Sequence, residues 1–352
     1  MNTAKWHGRT GFTLVELMTV IAIIVLLIGI LIPSLSAARK HAKDASTAGL
    51  LSGLEKGCEL FKTELNRYPV SRGPNPFEDD GSSNVPLAQG AQWLAMQLVG
   101  VDSRGFVDYK DLKNDSYSHK DGVIDKDDWN EWYSLQPDRA YSRLGPYVPA
   151  ESSENIRSVR SYLEEHPELG AGAAANLIPA ELTDDTNDWS LEFLPFFVDA
   201  WEFPVLYYRA NPNTDAPFTT GTPGSNFNVG RYDQSDNALF TGGDGNDGRW
   251  PVQSPGWDLT GTGRFPYPKD NPGAAHPLAD FGYRAKQMDW PLPQTFAEFF
   301  CDEAIYGQTQ RGSSGGCLWP YNADSLILIS AGKDGEYGTG DDITNFRSGG
   351  GR

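Results

Sequence analysis

From Leu17 to Ile32 every position is apolar except Thr19 and Gly29, and the apolar character reaches back to Phe12 with Glu16 as its one charge. At about 1.5 Å per residue in a helix, Phe12 to Ile32 extends roughly 30 Å, the hydrocarbon thickness of a bilayer. The pattern predicts a membrane-spanning helix, preceded by a short, mildly basic segment, Met1 to Gly11, with Lys5 and Arg9. Beyond Pro33, which removes one intrahelical hydrogen bond, Ala38, Ala42, Ala45, Leu51, Leu54, Cys58, Phe61 and Leu65 recur at three- and four-residue steps or twice that. This is the period of one buried helix face. The helix therefore continues past the span, weakened at Gly49, Gly53 and Gly57. It ends near Asn66-Arg67-Tyr68-Pro69, because a proline holds the residue before it in extended conformations.

Between Ser71 and Ser190 the pattern predicts two amphipathic helices, one with Leu87, Ala91, Leu94 and Leu98 on a face, the other with Ile156, Val159 and Leu163 before His166-Pro167. Aromatic and branched residues from Phe193 to Tyr208 read as strand, with Val205 to Tyr208 as one segment. Ala210 to Pro277 is dominated by turn formers, and Leu326 to Ser330 is a short apolar strand. The 352 residues suffice for one sizeable core carrying an insertion. A net charge of −18 argues against a nucleic-acid partner, which needs clustered cations to displace counterions from phosphate. The five histidines form no HExxH, and neither GxSxG nor a P-loop occurs, so the chain is not expected to be an enzyme. Cys58, Cys301 and Cys317 lack metal-ligand spacing. Cys301 and Cys317 flank the Gly/Ser-rich stretch 312–316, which leaves a disulfide or two separate thiols open. Asp121 to Asp128 looks like the second half of an EF-hand loop, but Tyr117 and His119 stand where oxygen ligands are needed, so an acidic solvated turn competes with a calcium site.

An ordinary secretory signal, cut before Ala37, is the alternative reading of the N-terminus. The apolar run exceeds the usual 7 to 15 residues of such signals. A carboxylate within the first turns of a lipid-embedded helix is also costly unless paired, which marks Glu16 as functional. Gly11-Phe12-Thr13-Leu14-Val15-Glu16 resembles the prepilin peptidase recognition motif of type IV pilins and pseudopilins. The resemblance implies cleavage between Gly11 and Phe12, N-methylation of Phe12, and an assembly role for Glu16. Packed in a filament core, that carboxylate neutralises the Phe12 amine of a neighbouring subunit. Lys5 and Arg9 before the span and Arg39, Lys40 and Lys43 after it do not fix orientation, so a cytoplasmic leader and periplasmic head follow from the resemblance.

At the far end, Leu326 to Ser330 leads into a Gly-rich loop, Ala331 to Ile343, bearing Asp334, Asp341 and Asp342. Hard oxygens on a flexible loop suit Ca²⁺, and a solvated acidic loop is the alternative. The stretch resembles the calcium loop of the major pseudopilins of type II secretion, which implies Asp334, Asp341 and Asp342 as side-chain ligands of a structural Ca²⁺, with the Ala331 carbonyl as a further donor. Arg67-Tyr68-Pro69 resembles the close of the first helix in those proteins. Val198-Asp199-Ala200-Trp201-Glu202-Phe203-Pro204 resembles their Asp-Pro/Ala-Trp-Gly-x-Pro segment, with Glu202 in place of the usual Gly. The implied fold is α+β and pilin-like: a long N-terminal helix packed on a small antiparallel β-sheet head with a large insertion. Its segments are a leader (1–11), transmembrane (12–33) and periplasmic (34–69) halves of the helix, an inserted lobe (71–190), a β-sheet head with calcium loop (191–346) and a tail (347–352). The implied partners are other pseudopilin subunits, prepilin peptidase and an inner-membrane assembly platform. The competing reading is a membrane-anchored or secreted calcium-binding module that binds exported substrates through the inserted lobe.

Overall fold

The computed structural model describes residues 14–71, 73–74, 87–101, 103–106, 143–149, 154–158, 161–162, 165, 194–214, 220–222, 225–228, 230–241, 278, 296–300 and 319–346. The chain divides into two compact units, Met1–Ala45 and Ser46–Arg352. One helix, α1 (Leu14–Leu65), runs through the boundary, with Pro33 inside it. The first unit's share of α1 is long and apolar enough to cross a membrane, and its large apolar side chains from Leu14 to Leu35 are exposed. At the other end, Asn66 adopts φ 56° directly after Leu65. Asparagine tolerates this left-handed conformation and stops the helix three residues before Pro69.

In the second unit the buried face of α1 is Leu50, Leu51, Leu54, Cys58 and Phe61, the last three fully inaccessible. Gly57 lies on this face because a Cβ there would meet Val148 Cγ1 at 2.8 Å. The expected weakening at Gly57 is therefore offset by a close approach, whereas a Cβ at Gly49 or Gly53 would meet nothing within 4 Å.

The remaining elements are β1 (Gly73–Pro74), β2 (Leu87–Ala88), α2 (Gly90–Val99), β3 (Ile156–Ser158), β4 (Pro195–Phe197), β5 (Leu206–Arg209), β6 (Thr220–Thr222), β7 (Ser225–Asn228), α3 (Ala238–Thr241), α4 (Phe296–Phe300), β8 (Leu326–Ser330) and β9 (Ile343–Thr344). A three-stranded antiparallel sheet, β5-β8-β9, pairs Leu206 with Ile329 and Arg209 with Leu326. Three two-stranded pairs, β1-β2, β3-β4 and β6-β7, complete the described strands. All five residues of β8 are buried, as a continuous apolar strand requires. Tyr207, Leu326 and Leu328 join the core with α1, and Tyr207 donates its hydroxyl to the Pro69 carbonyl at 2.6 Å. Tyr208 turns to Phe296 and Phe300, with ring centroids 5.3 and 5.4 Å away, so the sheet is covered on both faces. A long helix with small antiparallel sheets is the α+β, pilin-like class expected.

Within the segment 71–190, α2 belongs to the common core: Leu94, Ala95, Leu98 and Val99 pack with Leu54, Phe61 and Tyr207. Two expectations about secondary structure change here. Leu87 lies in β2 rather than on the α2 face, since α2 starts at Gly90. Residues 156–158, expected as helix, form β3 because they pair antiparallel with β4, Ile156 opposite Phe197. Cys301, Cys317, the half-EF-hand at 115–128 and the Gly11-Phe12 junction lie outside the described residues.

Candidate functional site

Two regions carry the predicted site residues. Glu16 lies in the first turn of α1, beside exposed Leu14, Val15 and Leu17. Its carbonyl accepts the Thr19 hydroxyl at 2.9 Å, which spends a polar side chain on the helix's own backbone within the apolar stretch.

The second region is the loop 331–342, delivered by β8 and closed by β9. Its path depends on glycine. Gly332 and Gly335 have φ 63° and 74°, and a Cβ would strike the Asp341 carbonyl oxygen at 2.3 Å from the first and Phe203 Cζ at 2.4 Å from the second. The loop brings the three predicted aspartates into mutual electrostatic reach. Asp341 Oδ2 accepts the N–H groups of Lys333 and Asp334 at 3.0 and 3.1 Å, and its Oδ1 accepts the Thr339 hydroxyl at 2.8 Å. Asp342 Oδ2 accepts the Gly338 N–H at 2.7 Å, and Asp334 Oδ1 accepts that of Glu336 at 2.8 Å. Ala331 is fully buried at the loop's entry.

These carboxylates do not ionise independently. Burial pushes the Asp334 carboxyl up to about 7, partly countered by the Glu336 N–H and reinforced by Asp341 beside it. Burial also works against charge on Asp341. Bonds from Asp334, Thr339 and the N–H groups of Asp334 and Lys333 outweigh it, and Asp341 is held below the ordinary carboxylate range. The two acids therefore titrate together, Asp334 raised and Asp341 lowered. Burial raises Asp342 well above the usual range despite the Gly338 N–H, with repulsion from Asp334 and Asp341 adding to it. Among the described residues, no group of three or more His, Cys, Asp or Glu stands close enough together to hold a metal ion. What the loop offers is hard oxygen from three crowded carboxylates, on a glycine-turned backbone, whose repulsion a divalent cation would relieve.

The loop rests on a second turn that sequence reasoning did not treat as part of the site. Residues 199–203 close on themselves through Asp199 N–H to the Phe203 carbonyl (2.9 Å) and Glu202 N–H to the Asp199 carbonyl (3.0 Å). Glu202 takes φ 72°, which explains why glycine suits this position in the resembling segment. Phe203 packs on Gly335, and the Tyr337 hydroxyl donates to the Pro204 carbonyl at 2.5 Å. Ala200 N–H donates to Thr47 Oγ1 on α1 at 3.2 Å. Thr47 and Asp199 are buried polar side chains, a property that no hydrophobic pattern displays.

Residues 6–32 match the family model for the prokaryotic N-terminal methylation motif. The type IV wide pilus major component PilA4 of Thermus thermophilus is 47% identical over 62 residues, 18% of this chain and 47% of that protein. The type II secretion system core protein G of Aeromonas hydrophila is 32% identical over 63 residues, 18% of this chain and 44% of that protein. The chain thus spans just under half the length of each of these curated relatives. No solved structure matches it. With the methylation motif at residues 6–32, relatives among pilins and type II secretion proteins, and a long apolar helix joined to small antiparallel sheets, this chain carries the N-terminal motif of type IV pilins and resembles them in fold class.

Proposed function

We propose that the chain is a filament subunit of the pseudopilus kind, anchored in the inner membrane before assembly and carrying a periplasmic head stabilised by calcium. The observation that carries this reading is α1. Its N-terminal part exposes large apolar side chains from Leu14 to Leu35, interrupted by few polar residues, and Glu16 stands near the start of that stretch. Such a surface needs lipid or the helices of sibling subunits around it. Prepilin peptidase cuts between Gly11 and Phe12, the Phe12 amine is methylated, and Glu16 of one subunit neutralises that amine on the next. An inner-membrane platform drives assembly, and the subunit itself performs no catalysis, in keeping with the structural components named among its relatives.

In the head, Asp334, Asp341 and Asp342, with the Ala331 carbonyl, hold Ca²⁺. The bound ion supplies positive charge that offsets the repulsion among three carboxylates. The role is structural, fixing the loop against β8. The test of the subunit reading is mass spectrometry of the mature N-terminus. An N-methylated Phe12 is the expected result, and a chain beginning at Ala37 would overturn it. Glu16→Ala is expected to leave processing intact and abolish incorporation into filaments.

A further inference from the structure

The first unit of the chain, Met1–Ala45, holds five Lys and Arg against two Asp and Glu, a net +3 within a chain of net −18. Three of those cations, Arg39, Lys40 and Lys43, fall within five residues of α1, and all three are exposed. At 3.6 residues per turn they lie within an arc of about 100°, on one face of the helix. Asp44, half-buried and next in sequence, is the only acid between Glu16 and Glu55. The level of these cations is set by the apolar stretch before them. Exposed apolar side chains run from Leu14 to Leu35, roughly 31 Å at about 1.5 Å per residue, which matches a hydrocarbon core of about 30 Å. Arg39 follows Leu35 by about 6 Å and Lys43 by about 12 Å. Helical side chains lean toward the N-terminus, so these long stems reach back toward the apolar stretch and carry their charges to the headgroup layer. Ser34 makes no demand there, because its hydroxyl donates to the Leu31 carbonyl at 3.0 Å.

We propose that Arg39, Lys40 and Lys43 form a site for anionic phospholipid headgroups on the head side of the membrane, holding α1 at a fixed depth before the subunit enters a filament. The proposal rests on the membrane-anchored reading above. In that orientation Lys and Arg are disfavoured beside the span on the head side, yet this is where an otherwise acidic chain concentrates them. The anionic surface at their level is lipid phosphate. The Arg39 guanidinium suits two phosphate oxygens at once, and the two ammonium groups act as point charges. Choline and ethanolamine headgroups carry a cation of their own that competes for the phosphate, whereas phosphatidylglycerol carries none, so the site selects the anionic lipid. With Arg39 at the headgroups, Glu16 lies roughly 35 Å away along the helix, at the opposite boundary of the core. The lipid contact thereby fixes the depth of that carboxylate.

The experiment is electron paramagnetic resonance of spin-labelled phosphatidylglycerol and phosphatidylcholine around the full-length chain, in phosphatidylcholine vesicles containing about one quarter phosphatidylglycerol. At low ionic strength the wild-type chain is expected to prefer phosphatidylglycerol about five-fold, the attraction of one surface cation, and the preference should fall towards parity in about 1 M salt. Replacing Arg39, Lys40 and Lys43 together with Gln is expected to lower the preference at least about two-fold. Lys56→Gln, which removes an exposed cation more than three turns beyond Lys43 on α1, is expected to leave it unchanged. Any preference generated by Lys5 and Arg9 before the span is common to all three chains, so the differences report the site. A triple variant with the wild-type preference overturns the proposal, and loss of chemical crosslinking between copies of that variant would assign the cations to the acidic surface of a sibling subunit instead. Equal association of both lipids with the wild-type chain also overturns it and leaves the anchored reading standing. A wild-type chain that alkaline carbonate strips from the vesicles overturns both.

Discussion

Replacing Gly335 with alanine probes the contact between the loop and the turn beneath it. Two costs combine at this position. The residue has φ 74°, a conformation that costs a side chain about 1–2 kcal/mol. The new Cβ would also lie 2.4 Å from Phe203 Cζ and 2.7 Å from its Cε1. Relief of that overlap requires the ring to move, an overpacking cost of about 1–3 kcal/mol. Alanine restricts the unfolded chain more than glycine, which returns about 0.4–1 kcal/mol. The expected net loss is about 2–4 kcal/mol. Urea unfolding of the purified chain in calcium measures it. Gly49→Ala is the internal control: a Cβ there meets nothing within 4 Å on an exposed helical turn, and the same chemical change is expected to stabilise by about 0.5–1 kcal/mol. In a Phe203→Ala background the overlap is gone, so Gly335→Ala should cost only the conformational part less the unfolded-state return, a net of about 0.5–1 kcal/mol. A loss below about 1 kcal/mol, or an equal loss in both backgrounds, refutes the reasoning.

Three further predictions follow from burial, backbone and charge. Leu54→Ala empties a fully inaccessible position between α1 and the sheet and should cost about 2–5 kcal/mol in denaturant unfolding. Glu202→Gly relieves φ 72° at an exposed residue and should raise stability by about 0.5–1 kcal/mol, after glycine's greater unfolded-state entropy is subtracted; a destabilised variant would show that the turn does not carry this strain. In the absence of calcium, Asp334 retains a proton up to about pH 7 in the folded chain and loses it near pH 4 when unfolded, so its contribution is full below pH 4 and disappears as pH rises through 7. The proposed calcium ligation takes the deprotonated acids, so the increase in Tm produced by added calcium should grow between pH 5 and 8; an increment independent of pH would count against carboxylate ligation.

The sequence made α1 and β8 legible for one physical reason: each buries or exposes apolar side chains in an uninterrupted run, and such runs need no partner to be recognised. α2 was harder to delimit because its burial is not amphipathic. Gln92 and Gln97 are as inaccessible as Leu94 and are satisfied by the backbone N–H of Gln89, the Val70 and Trp93 carbonyls and Arg67. Polar side chains of that kind read as a solvated face until their partners are known. Residues 156–158 misled differently. The spacing of Ile156, Val159 and Leu163 fits a helix, but pairing with β4, itself distant in sequence, determines the conformation. At the candidate site the three aspartates stood out by composition and spacing. Asp199, Ser330 and Thr47 did not, since a buried hydrogen bond between residues more than a hundred positions apart leaves no periodic trace.

The footing of the loop has a consequence for how such chains can diverge. Ile329 pairs with Thr344 and Ser330 with Ile343, while the Asn345 side chain accepts the Leu328 N–H at 2.9 Å and donates to Glu55 on α1 at 3.2 Å. These bonds tie the loop off as a closed circuit, and the entropy of closing a circuit grows only with the logarithm of its length, about 0.6 kcal/mol per doubling. Residues added at exposed Gly340 therefore lengthen the circuit at small cost. A single residue added between Ile343 and Asn345 shifts the register, turns the strand's side chains to the opposite face and removes Asn345 from Leu328. Loop length is the tolerant variable in this part of the molecule, and the two strand ends that clamp it are the intolerant one.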